Sequence, residues 1–388
     1  MDADRLTEIF DTVEPFTVGL EEEVMLLDPD TLDLAECAPA LLGRLGDRPS
    51  PFKLELPASQ IELVTPPHRS VPEAIADLGA ARGELLVAAA GLVRPAVAGV
   101  HPFSAAEGAL NRGPRYERAA AEYGWVARRQ LVCALQVHVA VGGARRTLAV
   151  YNALREELPA LAALAANAPL RGGHDTGLAS VRPLISGLLP RQGVPPVLAS
   201  WDEFAESLRW GAAAGAIPEP GFWWWELRPH PRFGTLELRV PDAQTTLADA
   251  AAVAAVAHAL VVELAERHDA GDLGAPAPTW RIEENRWSAC RHGTEGTLAD
   301  LQSGEPIPTG QHIEALLDRL EPIAERIGAG DALADARRLA HRNGAALQRT
   351  VASERGPYEL AHWLADRFAD GLAPQRGFDS PARVSEHV

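Results

Sequence analysis

Apolar and polar positions alternate most cleanly in residues 131–143 (LVCALQVHVAVGG). On a strand, Leu131, Cys133, Leu135, Val137 and Val139 fall on one face, while Gln136 and His138 fall on the other among Val132, Ala134 and Ala140. Residues 16–27 (FTVGLEEEVMLL) predict another strand, closed by the turn-forming Asp28-Pro29-Asp30. There Glu21 and Glu23 share a face, and Glu22 lies opposite with Leu20, Val24 and Leu26. Residues 222–242 predict a hairpin joined through residues 229–233, with Trp224, Glu226 and Arg228 on one face of its first strand and Thr235, Glu237 and Arg239 on one face of its second. Glu55 and Glu62 are seven apart and would face opposite ways on an unbroken strand. Pro57 predicts a bend that can bring both to one side. A further strand is expected at residues 96–104.

Helical spacing marks residues 71–93, where Val71, Ile75, Leu78, Leu85 and Leu86 recur before Arg94-Pro95. Helices are also expected at 3–13, 113–130, 145–168, 245–267, 311–327, 331–349 and 356–370, and one starts at the capping box Ser200–Glu203. Residues 31–50 read as connection, the glycine-rich 170–182 as a loop before a helix, and 372–388 as a mobile tail. Strands in the first two thirds, with helices between and after, predict one α+β domain spanning residues 1–388, its core at 15–370, around a mostly antiparallel sheet.

Composition narrows the chemistry. A chain of 388 residues, 47% hydrophobic and 23% charged, is that of a soluble globular protein with a full core. A net charge of -17 argues against a nucleic-acid backbone or an anionic membrane surface as partner. Cys37, Cys133 and Cys290 form no C-x-x-C pair, which excludes a disulfide framework or zinc ribbon and fits a reducing cytoplasm. The acidic start MDADRLTEIFD lacks the apolar stretch of a signal peptide, and the Ala-rich run at 250–264, interrupted by His258, is expected to be too short to span a bilayer. Lys53 is the sole lysine, so a P-loop G-K-[ST] is absent. A nucleoside triphosphate would have to be held by arginines and metal ions.

Two carboxylates side by side on a strand face need either water or a cation between them. Taken alone, any one such face is a wet edge, and a lone histidine on a strand is more often a core residue than a ligand. Several strands here repeat the pattern: Glu21 with Glu23, Glu55 with Glu62, Gln136 with His138, Glu226 with Arg228, and Glu237 with Arg239. If they share a sheet, the hard oxygen donors suit Mg²⁺ or Mn²⁺ and the arginines suit phosphate oxygens, which is equipment for phosphoryl transfer by electrostatic stabilisation.

The runs GLEEE, ELPASQIELVTP, RYER, VHV, HDTGLASVR, LRPHPRFGTLELRVPD and NRWSACRHG occur in this order. Together they resemble the bacterial carboxylate–amine ligases, the family-2 glutamate–cysteine-ligase-type enzymes related to the glutamine synthetase fold, over residues 15–370. The resemblance implies a curved antiparallel sheet forming a funnel with helices on its outer face. It also implies Mg–ATP (or Mn–ATP) in that funnel, a carboxylate phosphorylated by ATP, and an amine attacking the acyl phosphate to form an amide. In the type reaction the acid is the γ-carboxyl of glutamate and the amine that of cysteine.

Position by position, Glu21, Glu23, Glu55, Glu62 and Glu237 match metal-binding carboxylates, with Glu237, Arg239 and Arg228 as the catalytic set. Arg239 falls near the transferred phosphate, and Arg228, Arg182 and His138 at nucleotide or substrate contacts. Gln136 stands where the family usually has a metal-site histidine; its amide oxygen can ligate Mg²⁺, but more weakly than a carboxylate. Three alternatives stay open: the same chemistry on another acid and amine, a divalent-metal hydrolase using the same carboxylates with His138, and a catalytically degenerate Mg–ATP or small-molecule binder. Loops 101–115 and 170–182 are expected to set specificity. Faces of the Ala-rich helices fit either a homodimer or a packed core.

Overall fold

The computed structural model describes residues 1–46 and 51–372, so the predicted tail beyond Leu372 lies outside the described residues. The organising strand is β1 (Val18–Leu27), ten residues long and buried at every position except Gly19, which is half-buried. A strand so covered must be paired on both edges. On one edge β1 pairs β3 (Gln60–Val64), which pairs β2 (Phe52–Leu54). The first half of its other edge pairs β5 (Leu135–Ala140), and the far end pairs β4 (Arg94–Ala96). Between these and the hairpin lies a ribbon of β6 (Leu170–Arg171) and β7 (His174–Asp175). The hairpin is β8 (Leu227–His230) and β9 (Thr235–Leu238), and β9 joins β5. The main sheet therefore runs β2-β3-β1-β5-β9-β8, open and antiparallel at every pairing. With the helices that follow, the fold is α+β, as the strand–helix order predicts.

Register places the polar positions together. Glu23 lies opposite Glu62, Glu21 opposite Gln136, and Glu237 opposite His138 on one side and Arg228 on the other. The opposite face of the sheet is apolar, with Leu20, Val24, Leu26, Leu135, Val137 and Val139 all buried, and Cys133 joins them in the core as its phase predicts. The helices Val71–Ala89 and Leu247–Asp269 pack on β1 and β5. The second is 23 residues long and apolar enough in length and composition to cross a bilayer. The expectation that this run was too short is corrected: the helix runs on through His258, an ordinary helix residue, whose buried imidazole Nε2 bonds the Phe16 carbonyl at 2.8 Å. Burial of 89% of its most apolar window inside the protein accounts for a helix that is hydrophobic all round.

Other boundaries move for local reasons. A helix, Ala38–Leu45, occupies part of the expected connection. The strand expected at 96–104 shrinks to the end of β4. Gly124, at φ +51°, splits the 113–130 helix into Pro114–Tyr123 and Trp125–Arg128. The 331–349 helix divides into Gly330–His341 and Gly344–Arg367, the latter kinked at Gly356-Pro357. In the hairpin, β8 continues through His230, so the turn lies at residues 231–234 and not 229–233. Gly234 there has φ +68°, and a Cβ would collide with Val13, the residue that caps the leading helix Ala3–Thr12.

Candidate active site

Two carboxylate clusters stand on the polar face of the sheet. In the first, Glu23, Glu55 and Glu62 each offer an oxygen within 4.8 Å of the others. β1 supplies Glu23, β3 supplies Glu62, and Glu55 follows β2, where the chain bends before Pro57 as predicted. Asn111 fixes that bend, its Nδ2 donating to the carbonyls of Glu55 at 2.7 Å and Pro57 at 3.1 Å. Glu23 accepts from the Ala134 N–H at 2.6 Å and from Gln136 Nε2 at 3.1 Å. Lys53 Nζ approaches Glu62 at 3.3 Å and Glu21 at 3.4 Å from the half-exposed rim.

In the second cluster, donor atoms of Glu21, His138 and Glu237 again lie within 4.8 Å of one another. His138 Nδ1 is bonded to Thr235 Oγ1 at 3.0 Å, and its buried Nε2 has no hydrogen-bond partner. That nitrogen stands 3.7 Å from Glu21 and 4.0 Å from Glu237. Glu237 is wholly buried, with Arg228 Nε on one oxygen at 2.5 Å and Arg239 Nη1 on the other. The hairpin's charges thus form a dry clamp in the site and not a ladder in water.

Glu23, Glu55, Glu62 and, from the second cluster, Glu21 line one cavity of about 720 Å³, together with Arg182, Arg228, Arg239, Glu226 and the aromatic rings of Tyr116, Tyr123, Phe222 and Trp224; His138 and Glu237 lie behind Glu21 and the arginines. Arg182 is aimed by Asp242, which accepts its Nε at 2.6 Å while also taking the Ser180 hydroxyl and the Asn167 N–H. Glu226 is gripped from the helix Thr279–His292 by Arg286, at 2.8 Å and 2.7 Å to its two oxygens. Asp242 and Arg286 lie inside the runs that carry the family resemblance but were not singled out by strand phase. His230 was also missed; it lines the cavity with its Nε2 4.0 Å from Glu237 and its ring stacked on Phe233 at 4.4 Å. Of loops 101–115 and 170–182, the described lining residues are Arg115 and Arg182 alone.

Charge separates the two clusters. Burial, then the neighbouring Glu55 carboxylate, pushes Glu23 up to about 8 against the pull of the Ala134 N–H. Burial, then Glu21 and Glu55, raises Glu62 well above the carboxylate range, and burial raises Glu55 too. These three are under-compensated. At Glu237 burial works upward, but Arg228 and Arg239 outweigh it and hold the group well below its ordinary value. Burial holds His230 at about 4, so it is neutral. Hard oxygen donors with excess negative charge, beside an unpartnered buried imidazole nitrogen, fit divalent cations of the Mg²⁺ or Mn²⁺ type. Gln136 fits that set less well, since its Oε1 already accepts from Arg239 at 2.6 Å.

Comparison with known proteins converges on one group. The model of the family described as glutamate-cysteine ligase family 2 (GCS2) matches residues 17–361. A protein of Rubrobacter xylanophilus, provisionally named glutamate–cysteine ligase 2-3, is 40% identical over 367 residues, covering 93% of this chain and 99% of its own. One of Nocardia farcinica, provisionally named glutamate–cysteine ligase 2-2, is 35% identical over 342 residues, covering 86% of this chain and 89% of its own. Among solved structures, glutamate–cysteine ligase of Francisella tularensis in complex with AMP matches with a TM-score of 0.69 at 14% identity, over 92% of this chain and 90% of that one. A bifunctional glutathione synthetase of Pasteurella multocida matches at 0.63 with 16% identity, over 94% of this chain and 53% of that one. At these identities the two structures establish a shared fold.

Proposed function

The chain belongs to glutamate–cysteine ligase family 2 and is an ATP-dependent ligase, and we propose that it joins a small-molecule carboxylate to an amine through an acyl phosphate, with glutamate and cysteine as the first pair to test. The observation that carries this reading is the meeting of Glu21, Glu23, Glu55 and Glu62 with Arg228, Arg239 and Arg182 on the walls of one cavity.

The proposed chemistry is two displacements. An oxygen of the acid attacks the γ-phosphorus of ATP, the bond to the bridging oxygen breaks, and ADP leaves. The amine nitrogen then attacks the acyl carbon, the amide forms, phosphate leaves and the nitrogen gives up a proton. Neither step needs a covalent bond to the protein, which suits a chain with one lysine and buried Cys133 and Cys290. Charge accumulates on phosphate oxygens in the first step, and guanidinium groups already fixed by buried carboxylates stabilise it without reorganising. Glu237 keeps Arg228 and Arg239 extended toward that region, and Asp242 does the same for Arg182.

Glu23, Glu55 and Glu62 are proposed to hold one divalent cation, and Glu21, His138 and Glu237 another. The cations would neutralise triphosphate charge and polarise the phosphoryl group. Release of ADP from ATP and Mg²⁺ with a panel of acids and amines tests the reading. It predicts ADP release that requires both an acid and an amine, with the amide appearing in equal amount. ADP release indifferent to any acid or amine would sink it in favour of a hydrolase.

A further inference from the structure

We infer that Gln136 is a positioning residue, whose side-chain amide couples Arg239 to Glu23, and that its oxygen serves the arginine and not a metal ion. The contacts are independent of the ligase reading; the consequence for phosphoryl transfer rests on it.

Gln136 is 3% exposed, on β5 directly across from Glu21. Its Nε2 donates to Glu23 Oε1 at 3.1 Å, and its Oε1 accepts from Arg239 Nη1 at 2.6 Å. Only this orientation satisfies both neighbours. Turned over, the amide would set NH₂ against a guanidinium and C=O against a carboxylate. A carboxamide is the short neutral group that can donate to an anion and accept from a cation at once, and it adds no charge beside the three crowded, buried carboxylates.

The oxygen that would ligate a cation is committed to a full positive charge. A divalent ion on that neutral oxygen would stand beside the guanidinium and be repelled by it. The two partners also depend on Gln136 unequally. Glu23 keeps a second anchor in the Ala134 N–H at 2.6 Å. Arg239 has Glu237 as its other side-chain anchor, and Gln136 draws the same Nη1 toward β1. Gln136 therefore ties the guanidinium of one cluster to the carboxylates of the other, and its loss falls on Arg239.

The test uses the full chain as wild type, Gln136→Met, Arg239→Met and the double variant. Mn²⁺ alone is titrated by the resonance of the free ion, and a non-hydrolysable ATP analogue by calorimetry in Mg²⁺. Coupling predicts that Gln136→Met shifts Mn²⁺ affinity by less than about threefold, and weakens the analogue by about tenfold, one lost hydrogen bond to a charged group. It further predicts that the double variant binds the analogue within about twofold of Arg239→Met, because the two changes remove one device. A fall in Mn²⁺ affinity of about tenfold or more would restore Gln136 as a ligand. Multiplying losses in the double variant, or unchanged analogue binding in Gln136→Met, would each overturn the coupling. Gln136→Asn, which keeps the amide but shortens its reach, repeats the measurement should Gln136→Met fold poorly. A wild type that binds the analogue yet forms no amide defeats the ligase reading while the cycle still decides the coupling; one that binds no analogue defeats both.

Discussion

Arg82 clasps Glu22 through two hydrogen bonds, Nε to Oε2 at 2.8 Å and Nη2 to Oε1 at 2.6 Å, on the face of β1 turned away from the cavity. Its remaining donors reach the carbonyls of Gln244, Thr245 and Phe368, and both side chains are fully buried. Three consecutive glutamates thus divide by strand phase: Glu21 and Glu23 belong to the site, and Glu22 ties the sheet to the helix Val71–Ala89 and to the end of the described chain.

Removing one partner of such a pair leaves an uncompensated charge in the core. Arg82→Leu is expected to destabilise the protein by about 3–5 kcal/mol, whereas a charge-free double replacement of Glu22 and Arg82 costs much less. Urea unfolding of both variants measures this; equal losses would mean the pair acts through packing alone.

Glu237→Gln keeps the shape but removes the charge between Arg228 and Arg239 and leaves only one oxygen to accept from them. ADP release is expected to fall by about a hundredfold or more, the scale of losing one preorganised electrostatic contact. The melting temperature should fall as well, because Glu237 is wholly buried and two guanidinium groups lose their counter-charge. Steady-state turnover with thermal unfolding checks both, and full activity would remove Glu237 from the site.

The phase of each strand was legible in the sequence because a half-buried sheet enforces a period of two. That was enough to separate Glu21 and Glu23 from Glu22, and to place Gln136 and His138 opposite Val137 and Val139. Pro57 forecast the bend that unites Glu55 with Glu62. Phase says which face a side chain takes, not what meets it there. Arg82 for Glu22, Asp242 for Arg182 and Arg286 for Glu226 each come from another element 60 residues away. His230 was passed over because it sits beside two prolines in what reads as a turn. The helix Ala38–Leu45 was lost among Pro and Leu positions in a stretch too short for periodicity to register.

Glu62→Gln should act in opposite directions on stability and on metal binding. In the metal-free protein Glu62 is raised by burial and then by the charges of Glu21 and Glu55, so deleting its charge relieves repulsion. The same change removes a hard donor. The variant is expected to melt higher than wild type in chelator, and to gain less than wild type when Mn²⁺ is added. The pH dependence follows in sign. Glu23 titrates at about 8 when folded and at 4.5 when unfolded. The folded form therefore binds the extra proton, and the stability this provides is lost as pH rises from about 4.5 through 8. Melting curves in chelator across that range check it; a wild type that gains stability over the range would contradict the repulsion.

His101, in the loop after β4, supplies the opposite slope. Its Nε2–H donates to the Leu32 carbonyl at 2.8 Å, and its Nδ1 accepts the N–H groups of Phe103 and Ser104 at 3.2 and 2.9 Å. Two amides pointing at Nδ1 require that nitrogen to carry no proton. Burial holds the group at about 4, against weaker upward pulls from the Leu32 carbonyl and Asp33. Its unfolded value is 6.5. The unfolded chain therefore takes the proton first, and the neutral imidazole's contribution is complete above 6.5 and lost as pH falls toward 4. A shift of this size is worth about 3 kcal/mol. His101→Gln should unfold at lower urea than wild type at pH 7.5 and show a flatter acid limb between pH 6.5 and 4. Parallel limbs for the two proteins would mean that another group carries the acid sensitivity.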